Sequence, residues 1–199
     1  DFERYRIDTL KQLDAEAHET EGDYGIIITA DHDHNNVFGD IKFRSMIANI
    51  QKQLGSQCKL RIIEAESPQS LYKMLLRLRK RYKSKLSFVI INAHGTRESM
   101  QLGRNHNQQI HIEDFTSEKL AEKLKDMIIE GGEIVLNSCS AGYSRGIGEK
   151  IAKRLGKTVI APEIPAIIKG IDINVSGDVP KFIVNFQDGK GGEAPHKKY

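Results

Sequence analysis

The chain is expected to fold as an α/β protein: an open, mainly parallel sheet with helices on both faces and a C-terminal β-hairpin. Two observations predict this. Short apolar runs alternate with stretches of helical periodicity almost throughout, the pattern of a parallel sheet joined by crossover helices. Near the end, Ile171–Val175 and Lys181–Phe186 flank S-G-D-V-P and read as a hairpin instead.

Taken in order, residues 2–17 have helical character, with Tyr5, Leu10 and Leu13 spaced for packing, and 1–23 form a lead-in. Tyr24–Ala30 is rich in β-branched residues and apolar throughout, which suggests a central strand buried on both faces. The polar loop D-H-D-H-N-N-V-F-G-D (31–40) follows. Met46, Ile47, Ile50 and Leu54 share a helix face that Gly55 stops. Lys59–Glu64 is the second strand. Ser67 and Pro68 supply an N-cap and first helical residue for Leu71, Met74, Leu75 and Leu78. Ser87–Asn92 is the third strand, leading to His94, and Met100–Gly103 with Gln109–Ile112 form a small hairpin. Thr116 or Ser117 caps a helix whose Leu120, Leu124 and Ile128 point inward and which Gly131-Gly132 ends. Ile134–Leu136 is then a short buried strand before Cys139. Ser144 opens a helix with Ile147, Ile151 and Leu155 inward and Gly156 at its end. Lys157–Ala161 is a further strand. The glycine-rich end, 188–199, is expected to be disordered, so the domain proper runs over 24–187.

At 199 residues, one domain with its own core is expected. The net charge of +3 is too small to require a nucleic-acid partner, and no apolar run approaches the roughly 20 residues of a membrane span. The basic block Arg77–Lys85 reads first as the solvated end of a helix and second as a phosphate- or acid-binding patch. Of the two cysteines, Cys58 lies in an apolar strand pattern and reads as a buried small hydrophobe. A reducing compartment is the default.

Chemistry concentrates at two strand ends, A-H-G (93–95) and N-S-C-S-A-G (137–142). In an open α/β sheet the loops after parallel strands share one edge, which brings 31–40, 93–99 and 137–143 together. Small residues surround both His94 and Cys139, leaving room for a substrate backbone. The start of the Ser144 helix is placed to favour a thiolate at Cys139. A Cys-His nucleophilic site results.

These two motifs, His first and Cys 45 residues later, resemble those of the caspase-like (clan CD) cysteine peptidases. N-S-C-S-A-G is similar to the D-S-C-H-S-G type of the metacaspases; the small size and closing hairpin look more like the autoprocessing domains of bacterial toxins. The resemblance covers Tyr24 to about Phe186. It implies Cys139 as nucleophile, His94 as general acid/base, and the N–H groups of Gly95 and Cys139 as oxyanion donors, with no cofactor and no resident metal. The reaction it implies is peptide hydrolysis through a thioester, with the chain's own larger parent as one substrate. It also implies action in the cytoplasm or in a host cytosol. Some toxin domains of this kind are switched on by inositol hexakisphosphate, which makes the basic block a candidate regulatory site. Asn137 takes a position that often lines the pocket for the residue before the scissile bond. Asp31, Asp33 and Asp40 add negative charge beside it and favour Arg or Lys there. Glu98 is a candidate orienter of His94, although an exposed loop acid is its plainer reading.

Two rival readings belong to other classes. D-H-D-H could ligate a divalent metal, with His106 and His111 as further candidates. Alternatively, the fold is kept without turnover, as a module holding a phosphate ligand or a metal.

Overall fold

The computed structural model describes residues 21–35, 37–38, 41–113 and 118–199. The expected helix over 2–17 and the cap at Thr116 or Ser117 lie outside them. A mixed α/β architecture is built on a six-stranded sheet. Its strands are β1 (Tyr24–Ala30), β2 (Lys59–Ala65), β3 (Leu86–Asn92), β7 (Ile128–Asn137), β8 (Thr158–Pro162) and β12 (His196–Lys198), in the spatial order β12-β8-β7-β3-β1-β2. All neighbours are parallel except β12 and β8. β1 is inside the sheet as expected, but one place from its edge; β3 and β7 form the middle. No described helix is long and apolar enough to cross a membrane.

Apolar alternation along the strands divides the core in two. Ile26, Ile28, Val89, Ile91, Ile134 and Leu136 face one side, where α2 (Pro68–Arg81), α3 (Glu118–Met127) and α4 (Ile147–Leu155) pack. Ile27, Phe88, Ile90 and Val135 face the other side, against α1 (Ile41–Leu54) and the hairpin of β9 (Ala166–Asn174) and β10 (Lys181–Asp188). Two smaller antiparallel sheets complete the fold. One joins β9 and β10 to β11 (Glu193–Ala194); the other joins β4 (His94–Gly95), β5 (Ser99–Gln101) and β6 (Gln109–His111).

Local chemistry explains the helix ends. Ser67 caps α2, accepting from the Ser70 N–H at 3.1 Å, with Pro68 as its first residue. Gly55 after α1 and Gly156 after α4 adopt φ of 55° and 63°, and their N–H groups close on Gln51 and Ala152.

Four expectations need correction. α3 ends at Met127, and Ile128 already pairs with Leu86 as strand. Gly131-Gly132 does not stop the helix but forms a kink within β7. Gly131 has φ of 73°, and a Cβ at Gly132 would sit 3.0 Å from the Ser87 carbonyl oxygen. α4 begins at Ile147 behind a Gly146 N-cap, not at Ser144. The end of the chain, 188–199, is ordered: β11 pairs with β10, and β12 with β8. Backbone pairing and charge hold it there, not an apolar pattern. Lys198 reaches the buried Glu133 carboxylate at 2.8 Å, and the other Glu133 oxygen accepts the Phe182 N–H at 2.8 Å. One acid thus ties the tail and the hairpin to β7.

Candidate active site

Asn92 and Asn137 are register partners on β3 and β7, and Thr29 of β1 pairs with Asn92 on the other side. Two residues beyond Asn92 lies His94, and two beyond Asn137 lies Cys139. Three neighbouring parallel strands, about 4.8 Å apart, therefore deliver the loops carrying Asp33, His94 and Cys139 to one edge of the sheet.

His94 is held by Asp33. Its Nε2 lies 2.9 Å from Asp33 Oδ1, and both side chains are largely buried. The other Asp33 oxygen accepts the Phe38 N–H at 2.7 Å. Burial works against the charge on Asp33. The hydrogen bond to His94 and the Phe38 and Val37 N–H groups outweigh it, holding the carboxyl below its ordinary value. The His94 ring is also bracketed by His34 and Phe38, with centroids at 4.2 and 5.2 Å. Both oxygens of Asp33, an expected pocket-lining acid, are thus hydrogen-bonded within the protein, one of them to His94. Asp31 is exposed, with its N–H on the Ala65 carbonyl; Asp40 lies outside the described residues. Glu98 is exposed at the β4–β5 turn, where its N–H meets Thr96 Oγ1 and its carbonyl accepts from Ile112.

Cys139 is partly exposed at the head of a tight turn. The Ala141 and Tyr143 N–H groups close on Ser138 and Ser140, and the Ser140 N–H on Ile164. Ser140 takes φ of 57°, a left-handed conformation that a non-glycine residue enters at a cost, and such strain clusters at functional turns. The Cys139 thiol is 3.8 Å from the Ala166 carbonyl oxygen. Among the described residues, no carbonyl takes the Cys139 N–H. Tyr199, from the tail expected to be disordered, donates its hydroxyl to the Gly142 carbonyl at 2.8 Å and braces the turn. Burial raises this phenol above its usual value, which keeps the proton it donates.

The His94 and Cys139 turns touch. A Cβ on Gly95 would lie 2.0 Å from Ser138 Oγ and 2.9 Å from the Ser99 carbonyl oxygen, so only glycine fits. Thr96 donates to Ser99 across the β4–β5 turn, which makes Gly95 and Met100 the next, non-hydrogen-bonded pair. The Gly95 N–H therefore points away from β5. The helix-end argument for a thiolate does not hold as expected. The first N–H groups of α4, from Ile147 and Gly148, are taken by the carbonyls of Arg97 and Ala141.

Asn137 is buried. Its Nδ2 donates to Asn92 Oδ1 at 2.9 Å, and its Oδ1 accepts the Ile168 N–H at 3.1 Å. The expected pocket wall is instead a staple joining β7 to β3 and β9. From α1, Gln53 and Asn49 donate to the Ile171 carbonyl, and Gln53 accepts the Ile173 N–H. Side-chain amides thus fix β9, whose first residue, Ala166, lies beside the Cys139 thiol.

The D-H-D-H loop places the His32 and His34 rings 5.9 Å apart, while His106 and His111 stack on one another. Among the described residues, no group of three or more His, Cys, Asp or Glu side chains is placed to share a metal ion. Cys58 is buried, and burial pushes its thiol up to about 11. The Asp33–His94 contact is not legible in the sequence, because it rests on the spatial neighbourhood of β1 and β3. The signal present was an acid shortly beyond an apolar strand.

The profile of the family described as "Domain of unknown function (DUF8616)" matches residues 58–179, and the chain belongs to that family. The match takes in His94, Asn137 and Cys139 and begins after Asp33. No curated protein matches the chain. Among solved structures it is similar to the crystal structure of Chaetomium thermophilum Raptor, with 12% identity over 75% of this chain and a TM-score of 0.43. The chain spans 16% of the length of that protein's chain.

Proposed function

We propose that this member of the DUF8616 family is a caspase-like cysteine peptidase. Cys139 is the nucleophile, His94 the acid/base, and Asp33 the residue that orients His94. The observation that carries this reading is the 2.9 Å contact between His94 Nε2 and Asp33 Oδ1, next to the strand end that bears Cys139.

With Nε2–H donated to Asp33, Nδ1 is the nitrogen left to take the Cys139 proton. The thiolate adds to a peptide carbonyl carbon, and the oxyanion that forms is met by the N–H groups of Gly95 and Cys139. His94 returns its proton to the departing amine, leaving a thioester on Cys139. Water, deprotonated by His94, then releases the acid. Asp33 stays ionised throughout, since its carboxyl is held low. A peptide segment is the substrate class, and a segment of a larger parent chain is one source. A reducing cytosol, the cell's own or a host's, would keep the thiol free.

Iodoacetamide labelling with peptide mapping tests the thiol at the centre of this reading. Cys139 is expected to be modified first, because Cys58 is buried and its thiol is raised to about 11. His94→Ala should slow labelling of Cys139 near neutral pH by removing the proton acceptor. Labelling of Cys58 as fast as Cys139, or an unchanged Cys139 rate in His94→Ala, would sink the proposal.

A further inference from the structure

The turn after His94 and the turn after Cys139 are joined through Arg97 and Tyr143. Arg97 lies in the β4–β5 turn, three residues past His94; Tyr143 lies four past Cys139. The Arg97 guanidinium carbon stands 4.9 Å from the centroid of the Tyr143 ring. Beneath this pair the backbones are locked. The Arg97 carbonyl accepts the Ile147 N–H at 2.8 Å, and a Cβ on Gly146 would lie 2.8 Å from that carbonyl oxygen and 2.7 Å from that of Tyr143. No larger residue fits at 146 without parting the two turns.

Both side chains are exposed, Tyr143 by 48%. An exposed aromatic ring capped by a cation is more than a tolerated surface residue here, because the cation has no carboxylate of its own. Among the described residues Arg97 makes no ion pair. Three of the acids on neighbouring segments are engaged elsewhere, while Glu98, next in the chain and exposed, makes no ion pair among the described residues either. Glu149 holds the Arg145 N–H and Lys153, Glu163 holds Lys197 at 3.0 Å, and Asp33 holds His94. Stacking uses the face of a guanidinium and leaves its edge N–H donors free, in the fork that matches a carboxylate. A stacked side chain has also lost much of the freedom that binding would otherwise remove.

We infer that Arg97, set on Tyr143, recognises a carboxylate of the bound peptide, so that the segment cut at Cys139 carries an acidic residue beside the scissile bond. This rests on the peptidase reading. It reverses the expectation of a basic preference, which depended on Asp31, Asp33 and Asp40 acting together. Asp33 is hydrogen-bonded to His94, and the Arg97 cation stands in the turn that follows that histidine.

The test compares iodoacetate, an anion, with iodoacetamide, its neutral analogue, as alkylating agents of Cys139 at low ionic strength. The ratio of the two rates cancels the intrinsic reactivity of the thiol and reports the attraction of an anion. In Arg97→Gln the ratio should fall about three-fold or more, with the difference vanishing in high salt. Arg97→Lys should retain part of it, since the charge stays while the fork is lost. Tyr143→Leu should fall between, and Arg154→Gln, an exposed arginine far along α4, should match the wild type. An equal ratio in wild type and Arg97→Gln overturns the carboxylate site while leaving the peptidase reading standing. A Cys139 that reacts with neither reagent overturns both.

Discussion

Asp33→Asn is expected to lower turnover at Cys139 by about 10²- to 10⁴-fold while the protein stays folded. In the proposed mechanism the carboxylate does two things for His94: it fixes the Nε2–H tautomer and stabilises the imidazolium formed when Cys139 gives up its proton. An amide in its place offers an N–H to Nε2 as readily as an oxygen. His94 would then carry its proton on Nδ1, facing the thiol with a donor where an acceptor is needed. The fold should survive, since the amide oxygen can still accept the Phe38 N–H. Parallel measurement of melting temperature and peptide turnover separates the two effects. A pH profile adds a sign. The Asp33 carboxyl is held low in the folded protein, so its contribution to stability is present above its unfolded value, about 3.9, and is lost as pH falls through the folded value. Asp33→Asn should lack that loss on the acid side.

Asn137→Leu should destabilise the protein by about 3 kcal/mol, since two buried polar partners are left unpaired at about 1–3 kcal/mol each. Leucine keeps the branched outline of asparagine but carries two methyl groups in place of the amide, so crowding adds to the cost of the lost hydrogen bonds. The Ile168 N–H and Asn92 Oδ1 lose their partner in a site closed to water. β9 would also come away from β7, and with it the Ala166 carbonyl beside the Cys139 thiol. Denaturant unfolding measures the first effect. A midpoint close to that of the wild type would mean that Asn137 is a free pocket residue after all.

Much of the sheet could be read from the chain because its signals are local. β1 and β2 appear as apolar runs, Ser67-Pro68 marks a helix start, and Gly55 and Gly156 mark helix ends by a conformation other residues resist. His94 and Cys139 stood out because each follows such a run. What could not be read depends on partners distant in sequence. Asp33 meets His94 across 61 residues, and nothing near Asp33 distinguishes it from Asp31. Asn137 reads as a pocket residue only through the resemblance, and its two real partners lie on other strands. The tail carries glycine, lysine and proline in place of an apolar pattern, yet β12 is fixed by pairing with β8 and by Glu133. Gly131-Gly132 reads as a helix stop, and only the neighbouring β3 shows it to be a bulge. Family membership names no activity, so the chemistry rests on the geometry of Asp33, His94 and Cys139.

The most direct measurement is cleavage of a positional peptide library by the wild type and by Cys139→Ala, with products identified by mass spectrometry. The account predicts hydrolysis by the wild type at defined peptide bonds and none by Cys139→Ala, whose fold is unchanged by circular dichroism. Cleavage that persists in Cys139→Ala, or a wild-type protein that leaves every peptide intact while its thiol is free, would contradict it.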